Sequence, residues 1–121
     1  MAAVADAGDV RFGLDTFGDV TVDLDGRPIS QAQTIRNVVA EGRLADEVGI
    51  DAFGVGEHHR VDFAVSNPEV VLAGIAAVTE RIRLGSAVTV LSSDDPVRVW
   101  QRFSELDAIS GGRAEGILGR G

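Results

Sequence analysis

Asp51-Ala52-Phe53-Gly54-Val55-Gly56-Glu57-His58-His59-Arg60 is the stretch on which the fold turns. Side chains alternate faces along a strand, so Ala52, Gly54, Gly56 and His58 share one side, with Phe53, Val55 and Glu57 on the other. The bulky side belongs against helices. The small side leaves room beneath His58 and, in a barrel, points into its mouth. A strand of this kind, ending in ionisable residues, suits a parallel α/β protein, where active groups collect at the carboxyl ends of strands.

The flanking segments extend this reading. Upstream, Ile35, Val38, Val39, Leu44, Ala45 and Val48 line one broad helical face, with Arg36, Glu41, Arg43 and Glu47 mostly on the other. Gly49 stands where a left-handed cap is expected. Before that helix, Asp15 to Ser30 carries the turn formers Gly18, Asp25-Gly26 and Pro28, with Val20-Thr21-Val22 as a small hairpin arm outside the core. Val10 to Leu14 reads as a short buried strand. Downstream, Asn67-Pro68-Glu69 is a helix start: a capping side chain, then proline in the first turn, then an acid facing the dipole. It predicts a helix from Pro68 to about Glu80, followed by a strand from Arg81 to Val90. Asp95-Pro96 repeats the device, Val99, Phe103, Leu106 and Ile109 form an apolar stripe up to Ser110, and Gly111-Gly112 stops it. Arg113 to Leu118 is the fourth strand. Residues 1–9, rich in Ala, Gly and Asp, are expected to form a frayed tail, leaving residues 10–121 as one domain.

Strict alternation of strand and helix implies parallel strands joined by right-handed crossovers. Two architectures fit, a small doubly wound sheet and the N-terminal half of a (β/α)8 TIM barrel, and composition does not separate them. A complete barrel takes roughly 250 residues. In a chain of 121 residues the barrel reading carries the expectation of a longer parent. So does an ending at Gly119-Arg120-Gly121, where a strand-to-helix loop would begin.

Charge and composition narrow the function classes. Nineteen acids against eleven arginines and lysines give a net charge of -8. Nucleic-acid binding needs a basic face to neutralise phosphates, and none is present. The same charge opposes docking on anionic membranes. No apolar run approaches the roughly 20 residues of a membrane span, and Met1 to Asp9 lacks the basic start and apolar stretch of a signal peptide. The expectation is a soluble, cytoplasmic protein. Cysteine is absent, which removes disulfides and cysteine zinc sites.

Four segments occupy strand ends: Asp15-Thr16-Phe17, Glu57-His58-His59-Arg60, Thr89 to Asp95, and Gly119-Arg120-Gly121. Imidazole exchanges protons near neutral pH, so His58 is a candidate acid or base. An arbitrary histidine pair more often caps strand and helix ends. A metal site is disfavoured because adjacent strand residues diverge, so Glu57, His58 and His59 are not expected to converge on one ion. Arg120 offers a planar guanidinium suited to phosphate or an anionic ring oxygen, against the alternative of a solvated terminal arginine. Ser92 to Pro96 could bind an anion at a helix N-terminus, but Asp94 and Asp95 make capping the better reading.

Taken together, Glu57-His58-His59, Asn67-Pro68-Glu69, Leu84-Gly85-Ser86-Ala87-Val88, Asp95-Pro96-Val97-Arg98 and Leu106-Asp107-Ala108-Ile109-Ser110-Gly111-Gly112-Arg113 resemble the bacterial luciferase-like flavin monooxygenases. The resemblance runs from about Arg11 to Gly121. It implies a (β/α)8 barrel that uses reduced FMN, delivered by a separate flavin reductase, and O2 to oxidise a small organic substrate such as an aldehyde. It implies that His58 assists proton transfer beside the flavin. It also implies that Ala87-Val88 is a non-prolyl cis peptide against the ring and that Arg120 contacts the cofactor. No metal is implied. Luciferase carries a reactive cysteine just before that arginine; Gly119 stands there in this chain. Family subunits pair through the second and third helices, which agrees with the small-sided Ala73, Gly74, Ala76 and Ala77 and implies a homodimer. Two other readings stand beside this one: a non-catalytic half-barrel that binds flavin or a partner, and a deazaflavin-dependent oxidoreductase.

Overall fold

The computed structural model describes residue 8 and residues 10–121. Gly8 apart, the tail expected over residues 1–9 lies outside the described residues. The elements alternate as β1 (Gly13–Thr16), α1 (Gln31–Glu47), β2 (Ala52–Val55), α2 (Pro68–Ala76), β3 (Arg83–Val90), α3 (Pro96–Ser110) and β4 (Ala114–Gly119), with a 3-10 turn at Leu91–Ser93 between β3 and α3. All pairings are parallel and the strand order is β1-β2-β3-β4. A doubly wound sheet departs from sequence order at its switch point. Unbroken order with crossovers of one hand puts every helix on the same side, which is the layout of a (β/α) barrel. The strand order therefore decides between the two architectures that composition left open.

The core lies between sheet and helices. Phe53 and Val55 of β2 and Leu84 of β3 meet Val38 and Ala45 of α1, Val71, Leu72 and Ile75 of α2, and Leu106 of α3. The two helices approach closely at Gly42, where a Cβ would stand 2.7 Å from Ile75 Cγ2. Helix ends follow local chemistry. Ser30 accepts from the Gln33 N–H at the start of α1, and Gly49 is left-handed just past its end. Asp95 accepts from the Val97 and Arg98 N–H groups at 2.8 and 3.1 Å. Gly111 closes α3 at φ 68°. The arm at Val20-Thr21-Val22 is a small hairpin, bridging Val22 to Pro28, while Asp19 bridges to Phe63.

Four expectations are corrected. Asn67 does not cap α2; its Nδ2 donates to Ser66 Oγ at 3.2 Å. The helix ends at Ala76, short of Glu80, and β3 begins at Arg83. The reason is the Asp46 carboxylate, which takes the N–H groups of Glu80, Arg81 and Ile82 at 3.0, 3.1 and 2.7 Å. Those donors cannot also serve helical carbonyls. The guanidinium of Arg113 donates instead to the Ala76 and Thr79 carbonyls at 3.1 and 3.0 Å, satisfying the freed acceptors. Leu44 and Val48 are exposed, because α1 turns them past the edge of β1 and not onto the sheet. The first strand starts at Gly13 and is open, with Leu14 exposed along it and Phe12 exposed just before it.

Candidate active site

The carboxyl ends of β1 to β4 lie side by side, and register sets what faces the interior. Asp15 pairs with Gly54, and Gly54 with Gly85. Gly54 has no side chain, and the Asp15 carboxylate fills its place: a Cβ there would sit 1.8 Å from Asp15 Oδ1 and 3.2 Å from Ala87 Cβ.

One step further along β2, the position a Cβ on Gly56 would take is 3.3 Å from each of His58 Nε2, the Ala87 carbonyl oxygen and Phe17 Cδ1. The small side of β2 thus does leave room, and His58 turns back into it. The His58 ring stacks on Phe63 at 4.1 Å between centroids and meets Phe17 edge-on at 5.5 Å. Its Nε2 is buried and has no hydrogen-bond partner among the described residues. The backbone is anchored independently, since the His58 N–H donates to the Val65 carbonyl at 3.0 Å. An imidazole nitrogen held between two aromatic rings, with no hydrogen-bond partner among the described residues, is a candidate to hold or pass a proton once a group reaches it from the interior face.

The Ala87–Val88 peptide is cis, as the resemblance implied. Its Val88 side chain lies against Gly119, where a Cβ would come within 2.6 Å of Val88 Cγ2. A larger residue in place of Gly119 would collide with this valine. Arg120 follows at the mouth, its carbonyl accepting from Ser92 Oγ at 2.6 Å and its side chain exposed. His58 and Ala87 are therefore brought together around Gly56, while Val88 packs on Gly119, next to Arg120 in the chain. In the loop after β3, Asp95 caps α3 while Asp94 pairs with Arg102. The Arg102 hydrogen bond holds the Asp94 carboxyl below the usual carboxylate range.

The sequence reading put Phe17 and Glu57 in strand-end segments without giving either a role, and did not name Phe63. Phe17 and Phe63 form the cage but come from excursions after β1 and β2. Glu57 belongs to the bulky side of its strand, and its side chain is 6% exposed. A carboxylate in a helix-facing register signals a buried charge that must find partners, so the alternation itself held that clue. Residues two apart share a side, and Glu57 Oε1 lies 2.7 Å from His59 Nε2. His58 alone turns away. Among the described residues no group of three or more His, Asp or Glu is arranged to hold a metal ion, and no helix is long and apolar enough to cross a membrane.

Comparison with known proteins places this geometry in a class. Residues 11–121 match the luciferase-like monooxygenase family, and the chain belongs to it. It is 32% identical over 98 residues to the alkanal monooxygenase alpha chain of Photorhabdus laumondii, covering 80% of this chain and 27% of that protein. The crystal structure of the monooxygenase RslO1 from Streptomyces bottropensis is similar with a TM-score of 0.80 at 28% identity, over 93% of this chain and 33% of that one. The oxygenating constituent of 3,6-diketocamphane monooxygenase from Pseudomonas putida, a type II Baeyer-Villiger monooxygenase solved in complex with FMN, gives 0.79 at 27% identity, over 92% of this chain and 29% of that one. The chain thus spans about a third or less of the length of these relatives.

Proposed function

We propose that these residues form the His58-bearing wall of a flavin-dependent monooxygenase that takes reduced FMN from a separate reductase and uses O2 to oxidise a small organic substrate. The observation that carries the reading is the buried His58 Nε2, partnerless among the described residues, facing the Ala87 carbonyl across Gly56. The residues present suit a flat ring. Gly85 carries no side chain on this face, the Asp15 carboxylate and the His58 ring occupy the places beside Gly54 and Gly56, Ala87 and Val88 supply an apolar seat, and Arg120 offers positive charge at the rim. When bound, reduced flavin supplies the two electrons by which one atom of O2 enters the substrate and the other leaves as water. In that setting His58 holds or delivers a proton at Nε2, Phe17 and Phe63 fix its ring and keep water from that nitrogen, and Arg120 steadies an anionic part of the cofactor. Pairing of two subunits through α2 and α3 belongs to the same proposal, supported by the exposed Val70 of α2 and Val97 of α3. Of the small residues on α2, Ala76 is buried within the subunit and Gly74 packs on Val39 of α1.

The test uses the intact protein supplied with reduced FMN. His58→Ala is expected to lower substrate-dependent oxygen consumption by roughly 10²- to 10⁴-fold, the usual worth of a positioned acid or base, with FMN affinity near wild type. Unchanged turnover removes the role given to His58. Failure of the wild type to bind FMN removes the flavin reading, and tight binding of a deazaflavin in its place redirects it.

A further inference from the structure

Glu57 is a buried charged group that the proposed chemistry does not use. Both of its oxygens are taken: Oε1 by His59 Nε2 at 2.7 Å, and Oε2 by the Val90 N–H at 2.8 Å. The second contact has a topological reason. β2 ends at Val55, whose register partner on β3 is Ser86. Ala87 to Val90 therefore run past the end of the β2 ladder, and on the opposite side the pairing with β4 is irregular between Ala87 and Thr89. The Glu57 carboxylate stands where the ladder has no further rung on this side, joining the extension of β2 to the last residue of β3.

We propose that Glu57 is a positioning residue that fixes the ring-facing surface of Ala87 and Val88 by its reach to the Val90 N–H and not by its charge. This rests on the flavin reading above. His59, largely exposed, satisfies the other oxygen of Glu57 and contributes little to the seat.

Two conservative variants separate reach from charge in the intact protein. Glu57→Gln keeps the length and an acceptor for Val90 and loses the charge. Glu57→Asp keeps the charge and is shorter by one methylene, about 1.5 Å. Two quantities are measured: hydrogen–deuterium exchange of the peptide carrying Val90 without flavin, and FMN dissociation constant by quenching of flavin fluorescence. Glu57→Gln is expected to stay within about threefold of wild type in both. Glu57→Asp is expected to speed exchange at Val90 and to raise the FMN Kd, each on the order of tenfold, the worth of one hydrogen bond. Wild-type behaviour in Glu57→Asp, or equal losses in Glu57→Gln, overturns the proposal. Altered exchange with unchanged FMN affinity overturns it as well, since the tie would then not govern the seat. If the wild type binds no FMN while exchange follows the expected pattern, the flavin reading fails and the Glu57–Val90 tie stands without it.

Discussion

The two middle strands and the two outer strands of this sheet differ in burial far more than in sequence. β2 and β3 bury Phe53, Val55 and Leu84 beneath α1 and α2. On the helix-facing side of β1 and β4, Leu14 is 50% and Leu118 55% exposed, while Ile117, the register partner of Ala87, is 59% exposed on the other side. Strand propensity and apolar content are alike, so what separates the pairs is neighbours. β2 and β3 have a strand on each side and two helices above, whereas β1 and β4 each have one open edge among the described residues. Stability is therefore concentrated in the middle. Chemistry sits at the same place, since His58 leaves β2 and Ala87-Val88 belongs to β3. The difference teaches that the site is built on the most firmly held part of this chain.

The largest expected effect tests that concentration. Leu72 is fully buried in α2, facing the sheet. Leu72→Ala should cost about 2–5 kcal/mol through lost burial and the remaining cavity, read as a lower midpoint in urea unfolding. A cost below about 1 kcal/mol would mean that the middle layer is not what holds the fold.

A smaller effect probes how the layer is fastened. Burial alone would raise the pKa of the Asp46 carboxyl, but the N–H groups of Glu80, Ile82 and Arg81, with the Arg81 charge, outweigh it and hold the group below its usual range. With the folded value below the unfolded one near 3.9, this stabilisation is present above about pH 4 and is lost as pH falls through the folded value. Asp46→Asn should therefore cost about 1–3 kcal/mol at pH 7, and the gap between the two proteins should close as the solution is acidified below pH 4. A gap independent of pH would show that the carboxylate's charge plays no part.

Particular residues show how much was legible in the sequence. Alternation along Ala52 to His58 correctly gave an open interior side and an ionisable end, because side-chain direction in a strand is local. Asp95 and Gly111 marked the ends of α3, again by contacts within a few residues. Asn67-Pro68 looks like Asp95-Pro96, yet only the second caps, since the Asn67 side chain turns to Ser66. The end of α2 was misplaced because its cause, Asp46, lies 34 residues before Glu80. Leu44 and Val48 satisfy helical periodicity, but periodicity does not say how far the sheet extends beneath a helix. The His58 cage joins Phe17 and Phe63 from separate excursions, and no spacing rule connects them.

The smallest expected effect addresses the outer strands. Ile117 projects from β4 with most of its surface open, so little burial is there to lose. In the 121-residue chain Ile117→Ala should change stability by no more than about 0.5 kcal/mol, as for surface positions generally. The same substitution where a further strand pairs with β4 should cost about 2–5 kcal/mol, because the side chain would then be part of a core. Measured against Leu72→Ala in the same preparation, the ratio reports directly on coverage. A ratio near one means that the outer strand is as well covered as the middle, and the contrast between the two regions then belongs to these 121 residues alone. A small ratio leaves β4 an open edge, a template for pairing with another strand.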